Sequence, residues 1–74
     1  MPAGAWIVYL LACADGSLYC GITNDIAKRL TAHNAGKGAR YTSGRRPVRL
    51  VWSEPQPSRG DALTVSAAMT ALND

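Results

Sequence analysis

The stretch WIVYLLACADGSLYCGIT, residues 6–23, decides the fold. Its first part, Trp6 to Cys13, is apolar on both alternations and rich in strand formers. This predicts a strand with both faces covered, in the middle of a sheet. Ala14-Asp15-Gly16 is a hairpin turn signal, and Ser17 to Ile22 reads as a second strand antiparallel to the first. With the turn centred on Asp15, opposed residue numbers sum to about 30, which sets Leu11 against Tyr19, Leu10 against Cys20 and Tyr9 against Gly21. Tyr9 and Tyr19 then share one sheet face as diagonal neighbours, near enough for both phenols to serve one site. The same register puts Cys13 and Cys20 roughly 10 Å apart, beyond disulfide reach.

Downstream, Thr23-Asn24-Asp25 carries cap-type side chains, and IAKRLTAHN, residues 26–34, continues as a first helix that stops before Gly36. Ile26, Ala27 and Leu30 form its predicted apolar stripe, with Arg29 and His33 one turn apart along the edge. Residues 35–47, AGKGARYTSGRRP, hold three glycines, four bases, a tyrosine and a proline without hydrophobic period, and read as a mobile basic loop with room for one helical turn. VRLVWS, residues 48–53, alternates as a third strand that Pro55 and Pro57 should end. Ser58 and Asp61 have capping-box spacing and open a last helix with Ala62, Val65, Met69 and Leu72 on one stripe. The order is β-β-α-(basic loop or short helix)-β-α, an α+β domain spanning residues 1–74.

Seventy-four residues hold one small domain, and 47% hydrophobic content is enough for a core. No run approaches the ~18 apolar residues of a membrane span. The opening MPAGAW lacks the basic lead of a secretory signal, so a cytoplasmic protein without a membrane partner is expected. Two cysteines are too few for a disulfide framework and lack partners at zinc-ligand spacing. Charge is unevenly placed. All eight bases lie between Lys28 and Arg59 with Glu54 as the sole acid among them, whereas Asp15, Asp25, Asp61 and Asp74 lie outside that span. A segment of +7 in a chain of net charge +3 suits a polyanion such as DNA or another nucleic acid.

Two tyrosines on one sheet face, an arginine and a histidine on one helix edge, and a basic glycine-rich loop form a constellation suited to a phosphodiester. A phenol or imidazole can take a proton from water, a guanidinium can steady charge developing on phosphate, and the loop can hold the backbone. Lys37, Arg40, Tyr41, Arg45 and Arg46 are the candidate nucleic-acid contacts in that loop.

The segment IVY (Ile7, Val8, Tyr9), followed after the hairpin by YCG (Tyr19, Cys20, Gly21), resembles the paired half-motifs of the GIY-YIG nuclease superfamily. GIT-D, KRL, HN and GKGARYTSGRRPVRLVWSE continue the likeness to its small stand-alone bacterial members, from about Trp6 to Leu63. The resemblance implies a three-stranded antiparallel sheet flanked by helices and divalent-metal-dependent (Mg or Mn) cleavage of DNA. It implies catalytic roles for Tyr9, Tyr19, Arg29 and His33, and close passage of the substrate backbone at Gly21. The superfamily's metal-binding glutamate falls on Ser66 of ALTVSAAMTAL, residues 62–72. A neutral hydroxyl is a weak ligand for a hard cation, so no metal is expected at Ser66. Two expectations follow: an endonuclease impaired in hydrolysis, or a nucleic-acid-binding module on the same scaffold without catalysis.

Overall fold

The computed structural model describes residues 6–73. It runs β1 (Trp6–Ala12), β2 (Leu18–Thr23), α1 (Ile26–Asn34), α2 (Arg40–Ser43), β3 (Arg49–Gln56) and α3 (Arg59–Asn73). The three strands form one antiparallel sheet in the order β2-β1-β3, so the most apolar strand is central. Val8, Tyr9 and Leu11 of that strand are almost wholly inaccessible, from both sides of the sheet.

The hairpin register agrees with the sequence reading: Leu11 pairs with Tyr19, Leu10 with Cys20 and Tyr9 with Gly21. Its turn is held by Asp15, whose Oδ1 accepts from the Ser17 amide at 3.0 Å, and by Gly16 at φ +85°, a left-handed conformation that glycine adopts freely. Alternation then divides the sheet. Ile7, Tyr9, Leu11, Tyr19, Gly21 and Thr23 lie on one face, and Val8, Leu10, Cys20 and Ile22 on the other.

Asp25 caps α1, its Oδ1 accepting from the Lys28 amide at 3.1 Å. The helix ends in a Schellman arrangement, Gly36 N–H donating to the His33 carbonyl and Lys37 N–H to the Ala32 carbonyl, with Gly36 at φ +82°. One helical turn, α2, interrupts the basic loop. Asn34 then imitates a strand partner for Val48, accepting its N–H at 2.8 Å and donating to its carbonyl at 3.0 Å.

Two expectations are corrected. Ala27 is exposed, and His33 replaces it on the buried side of α1 beside the half-buried Ile26 and Leu30. Pro55 does not stop β3, which runs on to Gln56 with Pro55 opposite Ile7. An outer strand tolerates a proline whose nitrogen faces the unpaired side. A bulge leaves Val51 extra between the Leu10–Trp52 and Leu11–Leu50 pairs.

α3 lies across the Val8 face. Ser58 and Asp61 form its capping box, Ala62 is fully buried, Val65 and Met69 are half-buried, and Arg59 stands 5.7 Å from the Trp6 ring centre. The side chain of Leu72 lies outside the described residues, as do residues 1–5. Cys13 and Cys20 are both free thiols. Among the described residues, no helix is long and apolar enough to cross a membrane.

Candidate functional site

The Tyr9 face carries the cluster. β1 supplies Tyr9 and β2 supplies Tyr19, their ring centres 6.5 Å apart. α1 crosses above and drops His33 between them, 5.8 Å from Tyr9 and 5.3 Å from Tyr19. The Tyr9 hydroxyl and His33 Nε2 are 2.9 Å apart. The opposite ring nitrogen, Nδ1, is 2.7 Å from the Thr42 hydroxyl of α2. These bonds explain how a histidine sits at 0% exposure: both polar atoms of the ring are satisfied. Arg29, one turn before His33, donates from its Nη2 to the Gly38 carbonyl at 2.9 Å, and its charge acts on the Tyr9 phenol.

Burial dominates the electrostatics. It pushes the Tyr9 phenol above its ordinary value, with the nearby Arg29 guanidinium pulling part of the way back. It pushes His33 below the ordinary histidine value, and the Arg29 charge acts in the same direction. At neutral pH the site holds a neutral phenol, a neutral imidazole and one fixed cation.

Tyr9, Tyr19, Arg29 and His33 therefore meet as expected, but not in one open concavity. Tyr9 is 1% exposed and His33 is 0% exposed, so Tyr19 and Arg29 form the accessible side of the cluster. Arg29 also lines a cleft of about 210 Å³ with Thr23, Asn24, Asp25, Lys28 and Ala32. Two cations against one carboxylate make that cleft fit an anion better than a cation.

Gly21 has a reason of its own in this structure. A Cβ there would fall on the Tyr9 hydroxyl, so the phenol fills the space a side chain would take. Gly38 is similar, since a Cβ on it would strike the His33 ring. Gly38 and Thr42 were missed by sequence reasoning. In GKGARYTS nothing separates Gly38 from the helix-ending Gly36, or a buried Thr42 from a solvated loop threonine.

The loop candidates divide. Tyr41 stacks on Tyr19 with ring centres 5.9 Å apart, and Arg45 covers it 4.0 Å from the ring centre, so its ring is engaged by both. Arg45 also pairs with Asp15 at 2.9 Å and donates to the Tyr41 carbonyl, which spends its charge on the hairpin. Arg46 donates to the carbonyls of Ser43 and Asn34, neutral partners that leave its charge intact. It lines a shallow hollow with Asn34, Ser43, Gly44 and Pro47. Lys37 and Arg40 are exposed and, among the described residues, have no ion-pair partner.

Ser66 does not look toward the tyrosines. Its Oγ lies 3.6 Å from the Cys20 Sγ, on the sheet face opposite the Tyr19 ring. α3 docks on the Val8 face, and the stripe argument could not reveal which sheet face a helix covers. The other acids offer no replacement. Asp15 is paired with Arg45, Asp61 caps α3, Glu54 stands opposite Val8, and Asp25 caps α1. Among the described residues, no group of three or more His, Cys, Asp or Glu side chains could hold a metal ion. The described residues do not fit a divalent metal.

Comparison with known proteins agrees with this architecture. The family model of the GIY-YIG catalytic domain matches residues 5–67. The chain is 56% identical over 69 residues to a UPF0213 protein of Nitratidesulfovibrio vulgaris, covering 88% of this chain and 63% of that one. It is 58% identical over 70 residues to a UPF0213 protein of Desulfotalea psychrophila, covering 93% and 64%. This chain thus spans less than two thirds of the length of either relative. The solution NMR structure of a UPF0213 protein from Bacillus halodurans superposes with a TM-score of 0.56 at 42% identity, covering 90% of this chain and 71% of that one.

Proposed function

The chain belongs to the GIY-YIG family, and from that premise we propose that it is a DNA-binding domain of endonuclease type whose metal-dependent hydrolysis is impaired. The observation that carries this reading is Ser66. At the position the resemblance assigns to the metal-binding glutamate stands a neutral hydroxyl, turned to Cys20 and away from Tyr9 and Tyr19. A hard divalent cation needs carboxylate oxygen, and a hydroxyl does not replace it.

Binding has different requirements, and they are present. Lys37, Arg40 and Arg46 present unneutralised charge, and Lys28 and Arg29 add theirs at the cleft. Tyr19 and Arg29 are the groups that a phosphate can touch, and Arg29 is the group suited to its charge. Tyr9 and His33 act from behind them by orienting the phenol and guanidinium.

The test pairs binding with cleavage. Fluorescence anisotropy on a labelled duplex should show salt-sensitive affinity without sequence preference. A supercoiled-plasmid assay with Mg²⁺ or Mn²⁺ should show little or no nicking. Robust nicking that Arg29→Ala removes would overturn the impaired reading, and absence of duplex affinity at low salt would overturn the binding reading.

A further inference from the structure

Tyr9, His33, Thr42 and the Ala39 carbonyl stand in one line of hydrogen-bonding groups. The carbonyl end of the line fixes its polarity, because a carbonyl oxygen only accepts. At the inner end, the Thr42 hydroxyl donates to Ala39 O at 3.2 Å. That carbonyl has two lone pairs and accepts the Ser43 amide as well, at 3.0 Å. Thr42 has a single hydroxyl proton, so its oxygen meets His33 Nδ1, 2.7 Å away, as an acceptor. His33 then carries its proton on Nδ1, and Nε2 presents a lone pair to the Tyr9 hydroxyl at 2.9 Å.

The reverse polarity fails at both ends. It would aim an Nε2–H at the Tyr9 oxygen and leave the phenolic proton seeking another acceptor in a side chain 1% exposed. It would also take the Thr42 proton away from Ala39 O. Tyr9, His33 and Thr42 are all buried, so water does not reach the phenolic proton in exchange.

We infer that Thr42 is a positioning residue, which locks His33 as the Nδ1-protonated tautomer and thereby makes Tyr9 donate its hydroxyl proton to Nε2. Gly38 helps by leaving room for the loop to pass over the imidazole. If Tyr9 gives up its proton, the O–H bond breaks at the phenol, an N–H bond forms at Nε2, and the imidazolium keeps its Nδ1–H on Thr42. The meaning of this relay for phosphodiester chemistry rests on the reading proposed above. The tautomer itself does not.

His33 is the single histidine of the chain, so two-bond ¹H–¹⁵N spectra of the ¹⁵N-labelled protein report its ring nitrogens without ambiguity. At pH 7.5 the unmodified chain should show Nδ1 protonated and Nε2 bare. Thr42→Ser should preserve this pattern, and Tyr9→Phe should preserve it too, because Thr42 and not Tyr9 sets the tautomer. Thr42→Val, folded by circular dichroism, should move the population toward the Nε2-protonated form. An Nε2-protonated ring in the unmodified chain, or a flip on Tyr9→Phe, overturns the inference. These two measurements decide it even where Thr42→Val does not fold. Nicking and binding assays fail or succeed independently of these spectra, which keeps the two proposals separable.

Discussion

Tyr9 and Gly21 face each other across β1 and β2, and the phenol of Tyr9 occupies the volume that a side chain at position 21 would need. The pairing joins an aromatic to a glycine on the crowded face of a strand pair, so the ring covers backbone that would otherwise be bare. It also aims the Tyr9 hydroxyl at His33 rather than into the solvent.

Gly21→Ala should therefore destabilise the fold by about 2 kcal/mol, the overpacking scale of a core that has to shift a ring. Its methyl would meet the Tyr9 ring, which is held by His33 and cannot swing aside cheaply. Gly44→Ala is the matched control, since nothing lies within 4 Å of a Cβ there and its φ is −93°. It should change urea stability by less than about 0.5 kcal/mol. Equal losses in the two variants would mean that backbone entropy, not the Tyr9 contact, explains position 21.

His33 predicts an acid-side loss of stability. Burial and the Arg29 charge hold its folded value below the ordinary one, so on acidification the unfolded chain takes up the proton first. Stability is complete above the unfolded histidine value of about 6.5, and falls with decreasing pH until the lower folded value is reached, at most about 1.4 kcal/mol per pH unit. Urea midpoints measured from pH 7.5 down to 5 should decline over that window, and His33→Gln should flatten the decline. Asp15 contributes separately and lower. Its hydrogen bonds from Ser17, then its pairing with Arg45, hold its carboxyl below the usual range, so its share is lost only as pH falls below about 3.8.

Much of this architecture was written in local pattern. The apolar run of β1, the Asp15-Gly16 turn and the Ser58–Asp61 box each act within a few residues, and each formed as read. The co-facing of Tyr9 and Tyr19 followed from the hairpin register alone. What stayed hidden is non-local. The depth of His33 depends on Thr42 arriving from a different segment to satisfy its second nitrogen. The face chosen by α3, and with it the direction of Ser66, depends on which side of the sheet α1 leaves free. Arg45 resembled its loop neighbours in sequence, and only its contact with Asp15 across the hairpin removes it from the free charges.

The mismatch between the residues present and a divalent cation has a thermodynamic signature. A ligand that binds the folded state stabilises it by mass action, so millimolar Mg²⁺ or Mn²⁺ should leave the melting temperature of the chain unchanged beyond an equal ionic strength of NaCl. EDTA should likewise leave duplex affinity unchanged. A saturable Mn²⁺-dependent rise in melting temperature would reveal a site, and its loss on Asp25→Asn would place that site in the Arg29 cleft.

The geometry of the basic loop separates bases that a duplex can use from those already engaged. Each phosphate neutralised on a duplex contributes roughly −0.9 to the slope of log affinity against log salt. Lys37→Ala and Arg40→Ala should therefore each flatten that slope by about one unit, because their charges are exposed and unneutralised among the described residues. Arg46→Ala should do the same, since its partners are carbonyls and its charge survives them. Arg45→Ala should leave the slope nearly unchanged. Its guanidinium is paired with Asp15 and lies over Tyr41, so a phosphate would have to displace a carboxylate to reach it. The cost to stability of that variant should stay below about 1 kcal/mol, as for exposed ion pairs generally. Asp15→Asn supplies the converse arm: freeing Arg45 should steepen the slope, provided Tyr41 continues to hold the guanidinium at the surface. A full-unit flattening by Arg45→Ala in the unmodified background would show that the hairpin pair opens when DNA binds, and the division of the loop into free and engaged bases would then fail.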